Sequence, residues 1–298
     1  MLRIYQEPIL QEIKDPLLDQ KRVQLFIKRE DLIHPYVSGN KWRKLKYNLI
    51  EAKEKGYKTL LTFGGAYSNH IYATAAAAKE YGLEFIGIIR GDELENKSLN
   101  QTLQFASDHG MVLKFVSRET YRIKENRSFI QKLQNDYGTF YLIPEGGTNN
   151  LAIRGCEEIM TSEVKKFDAV CSSVGTGGTI SGIIVGSAAS QKVIGFSALK
   201  GDFLMKKVEV HLESYSDTDH KNWTINNQYH FGGYAKTTSE LIKFIKNFEQ
   251  KQHIPLDQVY TGKMMFGLFD LIAKDYFKAG QKILAIHTGG LQGRNIDH

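Results

Sequence analysis

The sequence predicts an α/β protein built on two open, twisted, mostly parallel sheets covered by helices. Two observations point there. Short apolar runs of strand length alternate with segments of helical period along most of the 298 residues, the order that parallel sheets with crossover helices need. Several of these runs end in glycine turns, and open α/β sheets take their ligands beyond the carboxyl ends of their strands.

In chain order, residues 23–28 read as a strand. Ser38 is placed to cap a helix running to about residue 55, with Trp42, Leu45, Leu49 and Ala52 on one face. Residues 59–63 form a short strand that ends in a glycine turn, and Ser68 can cap the alanine-rich helix behind it. Strands at 85–89 and 112–116 alternate with helices at 99–107 and 125–135, and a strand at 140–143 again meets glycines. A strand at 169–173 leads into a glycine loop and a helix through 188, followed by a strand at 193–196. Helices beginning near Thr237 and Gly262 and a last strand at 282–286 complete the pattern. Residues 214–233, rich in Asn, Asp and His, read as an irregular stretch bordering a cleft. Two domains are expected, a small α/β domain at 40–150 and a larger one formed by 1–39 and 151–298.

Composition argues against several function classes. The net charge is +6, but Lys165-Lys166 and Lys206-Lys207 are only pairs; dispersed lysines of this kind do not make a nucleic-acid surface. The balance does suit small anionic substrates. Cys156 and Cys171 are the only cysteines, too few for a disulfide framework or a thiolate metal site. The nine histidines are scattered without paired ligand spacing, so no metal is expected. No window approaches the roughly 20 apolar residues of a membrane span. The N-terminus lacks the apolar stretch of a secretory signal, and a cytoplasmic protein is expected.

Five segments carry chemical promise. In Ser38-Gly39-Asn40-Lys41 a lysine stands near a helix start beside a glycine that admits close approach; such a lysine can condense with a cofactor aldehyde, although most lysines are surface charges. Gly64-Gly65-Ala66-Tyr67-Ser68-Asn69-His70 joins a strand to a helix. Its free N–H groups and polar side chains suit a carboxylate, or it is simply a capped tight turn. Gly175-Thr176-Gly177-Gly178-Thr179 exposes several amides to one anion. It lacks the P-loop Lys-Ser/Thr, and Ile180 breaks the dinucleotide pattern, so a monophosphate fits better than ATP or NAD. Tyr260-Thr261-Gly262-Lys263 and His287-Thr288-Gly289-Gly290 place hydroxyls at strand ends, either to orient a heteroaromatic ring and substrate or merely to end strands.

Taken in this order, the five segments resemble the tryptophan-synthase-β-like, or fold-type II, pyridoxal-phosphate (PLP) enzymes. The chain is most similar to the 1-aminocyclopropane-1-carboxylate (ACC) deaminase and D-cysteine desulfhydrase family, from Lys28-Arg29-Glu30-Asp31 to His287-Thr288-Gly289-Gly290. The resemblance implies that Lys41 carries PLP, that Asn69 lies beside its ring, and that Gly175, Thr176, Gly177, Gly178 and Thr179 hold its phosphate. It implies that Thr288 faces the pyridine nitrogen and that Ser68, Asn69 and His70 receive the substrate carboxylate. Tyr234 and Tyr260 match two active-site tyrosines, so that Lys41, Ser68, Tyr234 and Tyr260 form the catalytic set. A homodimer acting on a small amino acid is also implied.

The two activities of the family diverge after Tyr260. ACC deaminases resemble one another in an acidic residue there, whereas Thr261 resembles the desulfhydrases. D-cysteine desulfhydrase is therefore the preferred expectation, with ACC deaminase or another PLP-dependent β-eliminase or racemase as alternatives. Tyr67 and Tyr72 stand where the family usually has glutamine and arginine, substitutions expected to reshape the substrate pocket.

Overall fold

The computed structural model describes residues 2–296. Strands β1 (Leu10–Ile13), β2 (Gln24–Lys28), β3 (Thr59–Gly65), β4 (Glu84–Arg90) and β5 (Val112–Val116) precede β6 (Tyr141–Ile143), β7 (Ala169–Val174), β8 (Lys192–Ser197), β9 (Trp223–Asn226) and β10 (Lys282–Ile286). They form a six-stranded sheet in the order β1-β2-β10-β7-β8-β9 and a four-stranded sheet in the order β5-β4-β3-β6. Only β1 runs antiparallel, against β2; every other pairing is parallel. The expected α/β class with two mostly parallel sheets is the observed one.

Burial explains the strand sequences. Residues 169–174 of β7 are buried throughout, as a central parallel strand with both faces covered should be. On one face of the larger sheet Leu25, Ile27, Cys171 and Ile283 pack with Leu241, Ile245, Met265 and Leu268 of two helices, Ser239–Gln252 and Thr261–Ala273. On the smaller sheet, helix Asn69–Tyr81 buries Ile71 and four consecutive alanines, Ala75 to Ala78.

Five segments differ from the sequence expectation. Ser38 does not cap the first long helix. That helix runs Asn40–Glu54 with Gly39 at its N-cap, without a side-chain cap bond. Gly39 takes φ +61°, and a Cβ there would lie 2.0 Å from the carbonyl oxygen of Thr288; backbone meets backbone at this point, and only glycine allows it. The stretch 214–233 is not wholly irregular, because β9 lies inside it. Its four residues include a single buried apolar side chain, Ile225, too little for a period-2 signal. Helices Asn150–Glu157 and Phe203–Tyr215, and strand β1, were not anticipated; β1 is a four-residue edge strand with one buried residue.

Both sheets have a switch in strand order. In the larger one, β8 and β9 lie on one side of β7, and β10 and β2 on the other. In the smaller one, β4 and β5 lie on one side of β3 and β6 on the other. At such switches successive connections leave in opposite directions and open a crevice at the carboxyl ends. The loops after β7, β10, β3 and β6 all line one shared cavity.

Candidate active site

The cavity encloses about 460 Å³ between the two sheets. It is lined from the larger sheet by residues 173–177, 288–290 and Tyr260, and from the smaller by residues 65–70, Arg90, Glu145 and Gly146. Lys41, second residue of helix Asn40–Glu54, also lines it.

A buried ion-pair network fixes the start of that helix. The carboxylate of Glu30, fully buried, accepts from Nε and Nη2 of Arg43 at 2.9 and 3.2 Å. Its carbonyl accepts from Gly39 N, while Asn40 N donates to the carbonyl of Thr288. The Arg29 guanidinium pairs with Asp31 at 2.8 Å, and His287 Nδ1 lies 3.3 Å from the same carboxylate. Lys41 thus sits on a helix tied at its first turn to the end of β10. Burial pushes its amine down to about 8, because the charged form loses water it cannot replace. Near neutrality such an amine has a larger neutral fraction than an ordinary lysine.

The loop after β7 is rich in glycine and lines the cavity. Gly177 has φ +93°, and a Cβ on Gly178 would lie 2.7 Å from Thr148 and 3.2 Å from Lys44 Cε. The loop thus meets the cavity at the N-terminus of helix Gly178–Gly186, where backbone amides and the Thr176 and Thr179 hydroxyls lie together. Lys44 lies beneath it, donating to the Gly146 carbonyl at 2.6 Å, Thr148 Oγ1 at 2.7 Å and Thr176 Oγ1 at 3.3 Å. Burial, and then the neighbouring Lys41, hold Lys44 well below the usual lysine range. His211 Nε2 donates to the Thr176 carbonyl at 3.2 Å, and Asn40 Nδ2 donates to Thr179 Oγ1 at 2.8 Å. Thr288 Oγ1 and Ser173 Oγ share a 3.1 Å hydrogen bond at the ends of adjacent strands.

Across the cavity, Ser68 caps helix Asn69–Tyr81, accepting from Ile71 N at 3.3 Å. Asn100 Nδ2 holds the preceding turn through the Ala66 carbonyl at 3.0 Å. Asn69 reaches the opposite loop; a Cβ on Gly290 would lie 2.8 Å from its Nδ2. His70 is engaged within the protein. Thr62 Oγ1 donates to the Ile143 carbonyl, so His70 Nε2, 2.7 Å away, donates to Thr62, and Thr74 approaches Nδ1 at 3.4 Å. Burial and the lysines hold this ring well below the usual histidine range, as a neutral imidazole.

Tyr260 and Tyr234 meet edge to face, with centroids 6.2 Å apart. Burial, then the neighbouring Tyr234, raise Tyr260 well above the ordinary phenol value; it remains a protonated donor. Asp257 sets its backbone. Oδ1 accepts from Val259 N at 2.8 Å and Tyr260 N at 2.7 Å, and Oδ2 accepts from Thr261 N and Oγ1 at 2.9 and 2.6 Å. Thr261 is accordingly fully buried and bonded to Asp257 rather than facing the cavity. Tyr67 lines the cavity mouth, 71% exposed, whereas Tyr72 stacks on Phe105 at 3.6 Å and is not part of the wall. Sequence reasoning missed Lys44, Arg90, Glu145 and Asp257. Lys44 lies three residues after Lys41 on a helix, a spacing that shares a face, and that signal was available.

Similarities to known proteins agree with this arrangement. The family model described as pyridoxal-phosphate dependent enzyme matches residues 9–289. A Pyrococcus abyssi protein named putative 1-aminocyclopropane-1-carboxylate deaminase is 34% identical over 294 residues, covering 91% of this chain and 86% of that protein. The Arabidopsis thaliana protein named bifunctional D-cysteine desulfhydrase/1-aminocyclopropane-1-carboxylate deaminase, mitochondrial, is 35% identical, covering 91% and 73%. A solved structure described as an ACC deaminase homologue superposes with a TM-score of 0.82 at 29% identity, covering 98% of this chain and 92% of that one. With the family model spanning nearly the whole length, both sheets included, the chain belongs to the pyridoxal-phosphate-dependent enzyme family.

Proposed function

We propose that the protein is a PLP-dependent lyase that deaminates a small amino acid, with D-cysteine desulfhydrase as the preferred activity: D-cysteine and water give pyruvate, sulfide and ammonia. The observation that carries this reading is Lys41. Its amine, held near 8, stands between a glycine-rich loop and a polar helix start on one cavity.

The residues present fit the cofactor. Residues 175–179 and Lys44 suit its phosphate, since the loop lines the cavity at the N-terminus of helix Gly178–Gly186 with Lys44 beside it. Thr288 and Ser173 offer neutral hydroxyls to the ring nitrogen, Asn69 a side-chain amide beside the ring, and Lys41 the amine that carries the aldehyde carbon. Bound PLP supplies an electron sink for the charge developed at Cα.

The chain's own groups do the rest. Ser68, Asn69 and the helix N-terminus bind and orient the substrate carboxylate. His70, neutral and engaged by Thr62 and Thr74, supports that turn from behind. Lys41 Nζ takes the proton from Cα, a task suited to an amine titrating near working pH. Tyr260 Oη, kept protonated, faces the departing thiolate, and Tyr234 completes that wall. ACC deaminase, giving 2-oxobutyrate and ammonia, is the second reading, favoured by the names of the Pyrococcus and Arabidopsis relatives; another β-eliminase or a racemase is a third.

The test is product release from D-cysteine, L-cysteine, D-serine and ACC by protein purified with PLP. Pyruvate and sulfide from D-cysteine with little product from ACC support the preferred activity, and abundant 2-oxobutyrate replaces it with the second. Lys41→Ala should abolish both turnover and the visible absorption of bound cofactor; retention of both overturns the assignment of Lys41. The further expectations are a cytoplasmic homodimer, checked by fractionation and light scattering, and domains at 40–150 and at 1–39 with 151–298, checked by limited proteolysis. Among the described residues no helix is long and apolar enough to cross a membrane.

A further inference from the structure

Arg90 is the last residue of β4, and its side chain lines the cavity from the smaller sheet. Arg90 is exposed, and its side chain lies over a buried platform. Its guanidinium carbon lies 5.7 Å from the centroid of the Tyr121 ring, and a Cβ on Gly65 would lie 3.5 Å from Nη2. Tyr121 is 3% exposed, meets Phe63 edge-on at 6.3 Å and donates its hydroxyl to Glu145 Oε1 at 2.7 Å. The other oxygen of Glu145 lies 3.2 Å from Lys124 Nζ. Glu145 is therefore satisfied by Tyr121 and Lys124, and among the described residues Arg90 has no carboxylate partner. A guanidinium presents five donors in a planar fork that matches an oxyanion. Here that fork is oriented by an aromatic face, on the cavity wall, with no anion from the protein to receive it.

Of the other cations lining the cavity, Lys207 lies on the side of the glycine loop, where its charge acts on Lys44 and His211. Lys44 is engaged by a carbonyl and two hydroxyls under the glycine loop, and Lys41 is the amine for the cofactor. The helix start at Ser68 and Asn69 takes the α-carboxylate. Arg90 is close enough to the tyrosine wall for its charge to act on Tyr234, the side on which the substrate's leaving group is placed above.

We propose that Arg90 binds a second anionic group, so that the substrate class extends to amino acids whose β-substituent ends in a carboxylate or another oxyanion. The proposal deepens the lyase reading and rests on it. For such a substrate the α-proton passes to Lys41, the Cβ–O bond breaks with its electron pair leaving on the carboxylate or phosphate, and water converts the remaining fragment to pyruvate and ammonia. No oxidant or reductant is required.

The experiment compares O-succinyl-D-serine with O-acetyl-D-serine on the PLP-loaded protein, two esters that differ in one distal carboxymethyl group. Wild type should show higher kcat/KM for the succinyl ester. Arg90→Gln should lower the succinyl-to-acetyl ratio by about 10- to 100-fold, the range for losing charge-assisted hydrogen bonds, and Arg90→Lys should restore part of it. Circular dichroism and cofactor absorption check that the variants fold and load. An unchanged ratio, or equal losses on both esters, overturns the proposal, since equal losses mean that Arg90 holds the α-carboxylate or the fold. D-cysteine turnover by wild type separates the two hypotheses. If no substrate is eliminated the lyase reading fails, and the ratio of dissociation constants for the two esters, read from the change in cofactor absorption, still decides the role of Arg90.

Discussion

Asp257→Asn tests how Tyr260 is positioned. The Asp257 carboxylate is 2% exposed and accepts four hydrogen bonds, two on each oxygen, from three backbone amides and the Thr261 hydroxyl. Asparagine keeps the volume but only one accepting oxygen. Two bonds are lost, and an NH2 group is turned against donors. A hydrogen bond to a charged group contributes about 1.5–3 kcal/mol, so the loss should be about 3 kcal/mol or more. At about 2–4 °C per kcal/mol for a large domain, Tm should fall by roughly 6–12 °C. Urea unfolding should show a lower midpoint at unchanged slope, and kcat should fall with Tyr260 displaced. Thr261→Val removes the hydroxyl that both donates to Asp257 and accepts from Asp257 N at 2.9 Å. The double variant should lose less than the sum of the singles, because the bonds are shared. A Tm within about 2 °C of wild type for Asp257→Asn, or strictly additive losses, would refute this account.

Four further outcomes follow from the site. Because burial lowers Lys41 to about 8, the rate at which apo-protein takes up PLP should rise with pH to a midpoint near that value; a midpoint at the ordinary lysine value of 10.5 would contradict the burial. The same shift, shared by Lys263 at about 8, makes the unfolded apo-chain bind more protons between the two values. These groups therefore add stability as pH climbs from about 8 towards 10.5 and none below it, and the urea midpoint should show that sign. Gly39→Ala drives a Cβ into the Thr288 carbonyl at φ +61°; chemical denaturation should show a loss of about 3 kcal/mol or more, together with impaired cofactor uptake. Lys263 donates to the carbonyls of His230 and Gly233 at 2.8 and 2.7 Å, just before Tyr234. Lys263→Met should speed proteolysis at residues 230–235 and lower kcat/KM about tenfold, with PLP still bound.

The alternation of strands and helices was legible because most core strands are buried enough to write their own apolar runs. The predicted last strand, 282–286, matches β10 residue for residue. β9 was lost because an edge strand with one buried side chain carries almost no pattern. Ser38 looked like a cap because serine is a good one, yet the fold needed a glycine where two backbones touch. Lys41 was visible from its motif. Lys44 was passed over although it shares a face with Lys41, because its oxygen partners lie about a hundred residues or more away in sequence. Arg90 and Glu145 acquire meaning only when β4 and β6 are brought to one cavity, and nothing local to either residue signals that.

The pairing of β2 with β10 has a kinetic consequence. β10 is inserted between β2 and β7, so one of the first strands to be synthesised waits for the last. The four strands of the smaller sheet, 59–143, leave the ribosome early and pair among themselves. At roughly 5–20 residues per second, the β1–β2 ribbon spends on the order of ten seconds or more with a parallel edge open. The contact between Gly39 and Thr288 forms only after β10 has docked. Nascent chains stalled before residue 282 should therefore be unable to retain PLP, however well their smaller sheet has formed, and during that interval the protein depends most on protection from edge-to-edge association.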